Sequence, residues 1–313
     1  MRKIRMHKSK DLISSRLSAG LSVVAVAVSL ALPAAAHAAF SLGGGYNYAV
    51  LFEGGGGNDL QFNNGTISGN IGIGGTGSLQ LSGGAANTII DGNVLFAGPV
   101  SHTGTAGTDF TMTAGHSFIG NDPNVQPDLN YVNSLNATLG AEAGTPLAIS
   151  IPNGGNQTVN ASSGLLDGTG NRVFTVSSMS FVNGATLTIN GSASDYVVLN
   201  FGFNLSFGGT INLTGGISSD QVLFNIVGGS GLTGGPTLTI SSNGATERGT
   251  FLDPNGTIQI NHSVLDGRLF GGDTHNEAIV SGASIFAPVP EPSSFALLGL
   301  GLAGLLLRRR IRS

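Results

Sequence analysis

The sequence predicts a mainly β protein: a right-handed β-solenoid with one flanking α-helix, between an N-terminal signal helix and a C-terminal transmembrane helix. Three observations point there. Thr186-Leu187-Thr188-Ile189, Thr210-Ile211-Asn212-Leu213, Thr237-Leu238-Thr239-Ile240 and Thr257-Ile258-Gln259-Ile260 alternate polar and apolar residues, the period of a strand with one buried face. More continuously apolar runs, at 196–201, 222–227 and 250–252, interleave with them, as strands covered on both faces would. The first family recurs at intervals of roughly 20 to 27 residues, the length of a coil holding two or three short strands. The unequal spacing leaves a sandwich or jelly roll as the other architecture.

In chain order, Arg2, Lys3, Arg5, Lys8, Lys10 and Arg16 precede an apolar stretch, 17–32, and then Ala36-His37-Ala38. That is the layout of a secretory signal with an A-x-A cleavage site, here after Ala38, read by the Sec machinery. Pro33 argues against an uncleaved helix. The body, 39–287, opens with a strand at Tyr46 to Phe52, followed by Gly54-Gly55-Gly56-Gly57-Asn58-Asp59. Further strands are expected at 66–73, 78–81, 88–95 and 110–112. From Pro127 to Ala141 the pattern changes: Leu129, Val132, Leu135 and Leu139 fall at helical spacing, Pro127 suits a first turn, and Gly140 and Gly144 offer stops. This predicts one amphipathic helix whose apolar stripe packs on the strands.

The whole chain has 13 basic and 17 acidic residues. Ten of the basic residues lie in the two ends, so the body keeps only Arg172, Arg248 and Arg268 against 15 carboxylates, with no lysine. Nucleic-acid binding requires clustered Lys and Arg, so that class of partner is excluded. Cysteine is absent, so core burial and backbone pairing alone hold the body together.

The tail, 288–313, has three parts: Val289-Pro290-Glu291-Pro292, an apolar segment at 294–307, and Arg308, Arg309, Arg310 and Arg312. Arginines after an apolar run hold it from the cytoplasmic side. About 13 to 15 residues make only ~20–23 Å of helix against a ~30 Å hydrocarbon core, which suits a sorting segment better than a permanent anchor. Gly299, Gly301 and Gly304 allow close approach of another membrane helix.

Pro290-Glu291-Pro292, the short apolar helix and Arg308 to Arg310 resemble the PEP-CTERM sorting signal of Gram-negative bacteria. That resemblance implies recognition by an exosortase, a membrane-embedded transpeptidase-like enzyme, and delivery from the inner membrane to the cell surface or beyond. A plain C-terminal membrane anchor is the alternative. The body, through Tyr196–Gly202, Asp220–Gly228 and the run His262-Ser263-Val264-Leu265-Asp266-Gly267-Arg268, is similar to the ice-binding-like fold and, more closely, to the adhesive domain called choice-of-anchor A.

Site chemistry is sparse. The Gly54 to Asp59 segment looks like one copy of a calcium-binding nonapeptide, but such sites need tandem copies, so it reads as a loop. His102, Asp109 and His116, and His262, Asp266, Asp273 and His275, carry potential metal ligands without a metal-site spacing. They read as solvated loop residues. Asp195, Asp220, Asp253 and Asp266 could converge for glycoside hydrolysis if they fall at equivalent coil positions. Asp before a strand is also ordinary turn chemistry. No cofactor is expected, apart from Ca²⁺ bridging the acidic surface. The expectation is a secreted, exosortase-sorted, non-enzymatic surface or matrix protein, adhesive or structural in a biofilm or exopolysaccharide setting. Its partners would be extracellular polysaccharide or neighbouring cells. A carbohydrate-active enzyme and an ice-binding protein are the alternatives.

Overall fold

The computed structural model describes residues 39–228, 236–272 and 276–288. They form a mainly β domain with one α-helix, Val125–Gly140. Successive segments return to three strand surfaces. Tyr48–Phe52 is followed by Asp59–Asn63 and Gly65–Ser68, and the next three strands, Asn70–Ile73, Ser78–Ser82 and Thr88–Asp91, pair in parallel with those three in turn. Every named strand pairing is parallel except the two-residue Leu165–Leu166 against Asn171–Phe181. The polar–apolar alternation places Leu60, Phe62, Leu79, Leu187, Ile189, Leu238 and Ile258 in one interior. There Phe224 stacks on its register partner Phe251 with ring centroids 4.6 Å apart.

The four Thr-led runs are true half-buried strands, but they do not lie in one sheet. Leu187 pairs in register with Ile211 and Leu238 with Ile258, whereas Thr186–Asn190 and Thr210–Thr214 belong to a different sheet from Thr237–Ile240 and Thr257–Asn261. One repeating pattern therefore serves two surfaces, because each asks only for one buried face. The expected strand at 66–73 divides at Gly69 (φ +120°), and that at 88–95 divides into Thr88–Asp91 and Val94–Phe96. The first strand starts at Tyr48, after a 3₁₀ turn over Gly43–Asn47.

The chain does not stack continuously from first turn to last. After Phe118–Ile119 at one end, the helix intervenes, and Thr145–Ile151 begins a second series at the opposite end of the same sheet. The two series meet where Val264–Gly271 pairs with Tyr48–Phe52, Val50 opposite Leu269. Parallel seams between Glu277–Val280 and Asp59–Asn63, and between Ser284–Phe286 and Gly65–Ser68, close the other two surfaces. At the far end, Gln157 turns its side chain onto the edge strand, donating to the Ala148 carbonyl (2.9 Å) and accepting from the Ser150 amide (3.1 Å). This occupies backbone groups that would otherwise template another strand.

The helix begins two residues before the expected Pro127, which sits in its first turn where a missing N–H costs nothing. Val125, Leu129, Val132 and Leu139 pack on Leu51, Val198, Leu223, Leu252 and Phe270, so the apolar runs are covered on both faces. A polar residue interrupts the stripe: Asn136 is buried and donates to Asn225 Oδ1 (2.7 Å) and to the Ile226 carbonyl (3.0 Å). Asn225 donates onward to Asn200 Oδ1 (2.8 Å), and Asn200 to the Leu139 carbonyl (2.7 Å). The three amides satisfy one another in a dry layer and fix the helix's axial position.

Two interior carboxylates have no such partners. Asp253 and Glu277 are fully buried, and none of their four oxygens has a hydrogen-bond partner among the described residues. Burial pushes Asp253 up to about 8, and burial followed by repulsion from Asp253 lifts Glu277 well above the carboxylate range. Glu247 is likewise pushed up to about 8, mainly by burial. These acids are held protonated in the folded chain at pH values where the unfolded chain has already ionised them, so their contribution to stability falls as pH rises from about 4.5 to about 8.

Replacing Asn225 with Ala removes one hydrogen bond from each of Asn136 and Asn200 and leaves a buried gap between them, which is expected to cost about 2–4 kcal/mol, measured by urea unfolding; a cost below about 0.5 kcal/mol would remove the latch from the account. The unfolding midpoint is expected to fall between pH 5 and pH 8. Asp253→Asn and Glu277→Gln should each flatten that slope and make the protein more stable than wild type at pH 8. An unchanged slope in both variants would mean these groups ionise freely.

Candidate functional site

The most ordered polar feature lies on the surface formed by Asn156–Asn160, Thr186–Asn190 and Thr210–Thr214. Their inward positions are apolar apart from Gln157, and their outward positions form three registered rows: Asn156-Thr186-Thr210, Thr158-Thr188-Asn212 and Asn160-Asn190-Thr214. All nine are Asn or Thr, and none is charged. Strand pairing sets neighbours within a row about 4.8 Å apart, and residues two apart along a strand are separated by about 6.6 Å. Asn190 donates to Asn160 Oδ1 (3.0 Å) and accepts from Thr214 Oγ1 (3.1 Å), which aligns one row. Arg248 bounds the grid, its guanidinium 3.1 Å from Asn212 Oδ1.

A second row crosses another sheet through Ser206, Thr239, Gln259, Ala278, Gln61, Gln80 and Thr103, all in register. It is also uncharged, but more varied in shape and broken by Ala278. Asp59 stands beside it, held by hydrogen bonds from Ser78 Oγ and Gln80 Nε2. The Gly54 to Asp59 segment is thus a turn whose carboxylate is tied to the neighbouring strand.

The sorting residues Pro290, Glu291, Pro292, Arg308, Arg309 and Arg310, the cleavage residues Ala36 and Ala38, and Asp273 and His275 lie outside the described residues. The remaining histidine candidates do not converge. His102 stacks on Phe118 with centroids 4.1 Å apart, Asp109 accepts from the Thr105 amide (2.8 Å), and His262 occupies a corner at φ +47°. Only His116 has a carboxylate nearby, Asp91 at 3.6 Å. Among the described residues no group of three or more His, Cys, Asp or Glu side chains could hold a metal ion.

Nor do the four carboxylates considered for hydrolysis act together. Asp195 accepts from Ser192, which with Arg172 at 3.9 Å holds its carboxyl below the usual range. Asp266 lies 3.3 Å from Arg248, Asp220 2.9 Å from Arg268, and Asp253 is buried. Each arginine of the body therefore pairs with one of these acids, an arrangement of separate ties.

Arg268 is the structural residue that the sequence pattern undervalued. It is almost fully buried, and its guanidinium donates to Asp220 Oδ1 (2.9 Å) and to the carbonyls of Tyr46 (2.9 Å), Tyr48 (2.6 Å) and Pro288 (2.7 Å). The run 262–268, one of the segments that carry the resemblance to the adhesive domain, supplies this residue at the seam. An arginine set directly before the apolar pair Leu269-Phe270 of a strand is the signal that could have singled it out.

Comparison with known proteins agrees with this geometry. Residues 288–310 match the PEP-CTERM protein-sorting motif, the mark of an exported protein processed by an exosortase. The fold is similar to an ice-binding protein of the Antarctic ascomycete Antarctomyces psychrotrophicus, at 16% identity and TM-score 0.52, over 80% of this chain and 98% of that one. It is similar as well to an ice-binding protein from an Antarctic biological consortium (17%, TM-score 0.54, 80% and 91%) and to an ice-binding domain of Shewanella frigidimarina (15%, TM-score 0.51, 80% and 98%). No curated protein matches the chain. Residues 32–281 match the family described as an ice-binding-like adhesive domain, and with four-fifths of its length inside that match the chain belongs to this family.

Proposed function

We propose that this protein is an adhesive or structural component of the cell surface or extracellular matrix, wound as a right-handed β-solenoid and released from its C-terminal membrane segment by exosortase. The observation that carries the reading is the uncharged grid of nine Asn and Thr side chains, displayed on a body otherwise rich in carboxylates. Amides and hydroxyls at fixed spacing offer both donors and acceptors to a polyhydroxylated polymer. The acidic remainder keeps the domain soluble and repels anionic partners. Ca²⁺ bridging between acidic surfaces would add cohesion in a biofilm or exopolysaccharide layer. A hydrolytic enzyme is the weaker reading, because its candidate carboxylates are separately tied or buried.

Two observations favour the ice-binding reading: ice-binding proteins are among the solved structures similar to this fold, and the Thr/Asn grid is regularly spaced. Regular spacing serves either surface, so assays must separate the two.

Host cells expressing Thr188→Glu with Asn190→Glu are expected to lose roughly tenfold in attachment to polysaccharide-coated surfaces, since two charges desolvate poorly against a neutral polymer. Attachment equal to wild type would remove the grid from the contact face. The purified chain is expected to leave ice recrystallisation unchanged; strong inhibition, abolished by the same double change, would establish the ice-binding reading instead. Chelation should weaken matrix retention if Ca²⁺ bridges the surfaces. Altering Pro290–Pro292 should leave the unprocessed chain in the inner membrane, as read by intact mass and fractionation.

A further inference from the structure

A pocket of about 330 Å³ opens where the helix-side sheet meets the surface formed by Gly65–Ser68, Thr88–Asp91 and Thr111–Met112. Among its lining residues are Tyr46, Asn47, Asn70, Asp91, His116 and Pro288. Its size is at the lower end for small-ligand sites. The floor exists because two corners stack without side chains: a Cβ on Gly92 would lie 2.1 Å from the Gly69 carbonyl oxygen.

We propose that this pocket binds a single neutral sugar unit of a glycan, an inference that rests on the adhesive reading and gives it a specific site. Asp91 is anchored by Thr113 Oγ1 (2.6 Å) and Ser68 Oγ (3.3 Å), yet 47% of its side chain stays exposed. A carboxylate so positioned accepts hydrogen bonds from vicinal hydroxyls. His116 stands 3.6 Å away, and its Nδ1 is buried without a partner. Asn47 is exposed, and its amide has no hydrogen-bond partner among the described residues, leaving both a donor and an acceptor. Tyr46 is half-buried, its ring lying over the Arg268 guanidinium at 5.6 Å. Such a mixture of carboxylate, amide, imidazole and aromatic ring suits a polyol with one apolar face.

The charge pattern selects a neutral ligand. Arg268 is the pocket's one arginine, and four of its N–H groups are committed to Asp220, Tyr46, Tyr48 and Pro288. It cannot turn to an acidic sugar without abandoning the seam, and Asp91 repels a uronate directly.

The test is calorimetric titration of the full chain in detergent with neutral cello-, manno- and galacto-oligosaccharides and with oligogalacturonate. The variants are Asn47→Ala and Asp91→Asn. At least one neutral oligosaccharide should bind, oligogalacturonate should bind at least roughly tenfold more weakly, and Asn47→Ala and Asp91→Asn should each weaken binding by roughly tenfold. The Asn47 side chain is exposed and has no hydrogen-bond partner among the described residues, and the Asn47 carbonyl that Asn70 bonds is kept in Ala, so the fold stays intact and the result interpretable. Unaltered affinity in both pocket variants, preference for oligogalacturonate, or no neutral oligosaccharide bound by the wild type would overturn the pocket assignment. Cell attachment lost only with the grid variant would leave the adhesive reading standing without it.

Discussion

The structure depends on the seam where Val264–Gly271 lies beside Tyr48–Phe52. Parallel strands satisfy their backbone groups only through neighbours on both sides, and here the neighbours come from opposite ends of the chain. Until the C-terminal series arrives, Tyr48–Phe52 has an open edge, and so do Asp59–Asn63 and Gly65–Ser68, which pair with Glu277–Val280 and Ser284–Phe286. Arg268 sits in this seam and joins three separated segments of the chain, at Tyr46 and Tyr48, at Asp220 and at Pro288. A buried guanidinium is costly unless nearly all its donors are met, so its geometry makes the seam specific: a strand slipped by one residue would bury the same charge without partners.

The polar interior follows one logic and the polar exterior another. Inside, Asn136, Asn200 and Asn225 satisfy each other and position the helix, whereas Asp253 and Glu277 find no partner among the described residues and are kept protonated by burial. Outside, the Thr and Asn rows cost the fold little, because outward positions of a half-buried strand tolerate any residue that suits an extended backbone. That freedom lets one scaffold carry different surfaces, which accounts for ice-binding proteins sharing this fold at 15–17% identity.

Much of the design was legible in single segments. The two-residue alternation of Thr186 to Ile189, the continuous apolarity of Val222 to Ile226 and the helical spacing of Leu129, Val132 and Leu139 each follow from local burial on one face, two faces or a stripe. Asn136 was hidden because one polar residue inside an apolar stripe looks like a solvent position; its partners lie 89 and 90 residues away in the chain.

The sequence alone determined the mainly β character, the single helix and the tail motif, because strand alternation, helical spacing and the Pro-Glu-Pro segment with its arginines are encoded within a few consecutive residues. Tertiary structure decided which strands share a sheet, where the two series of turns join, and that Arg172, Arg248 and Arg268 each hold a different carboxylate. It also brought Asn47, Asp91 and His116 to one pocket. Those outcomes rest on parallel register between strands up to about 220 residues apart, and a short alternating pattern fits more than one sheet until its neighbours are in place.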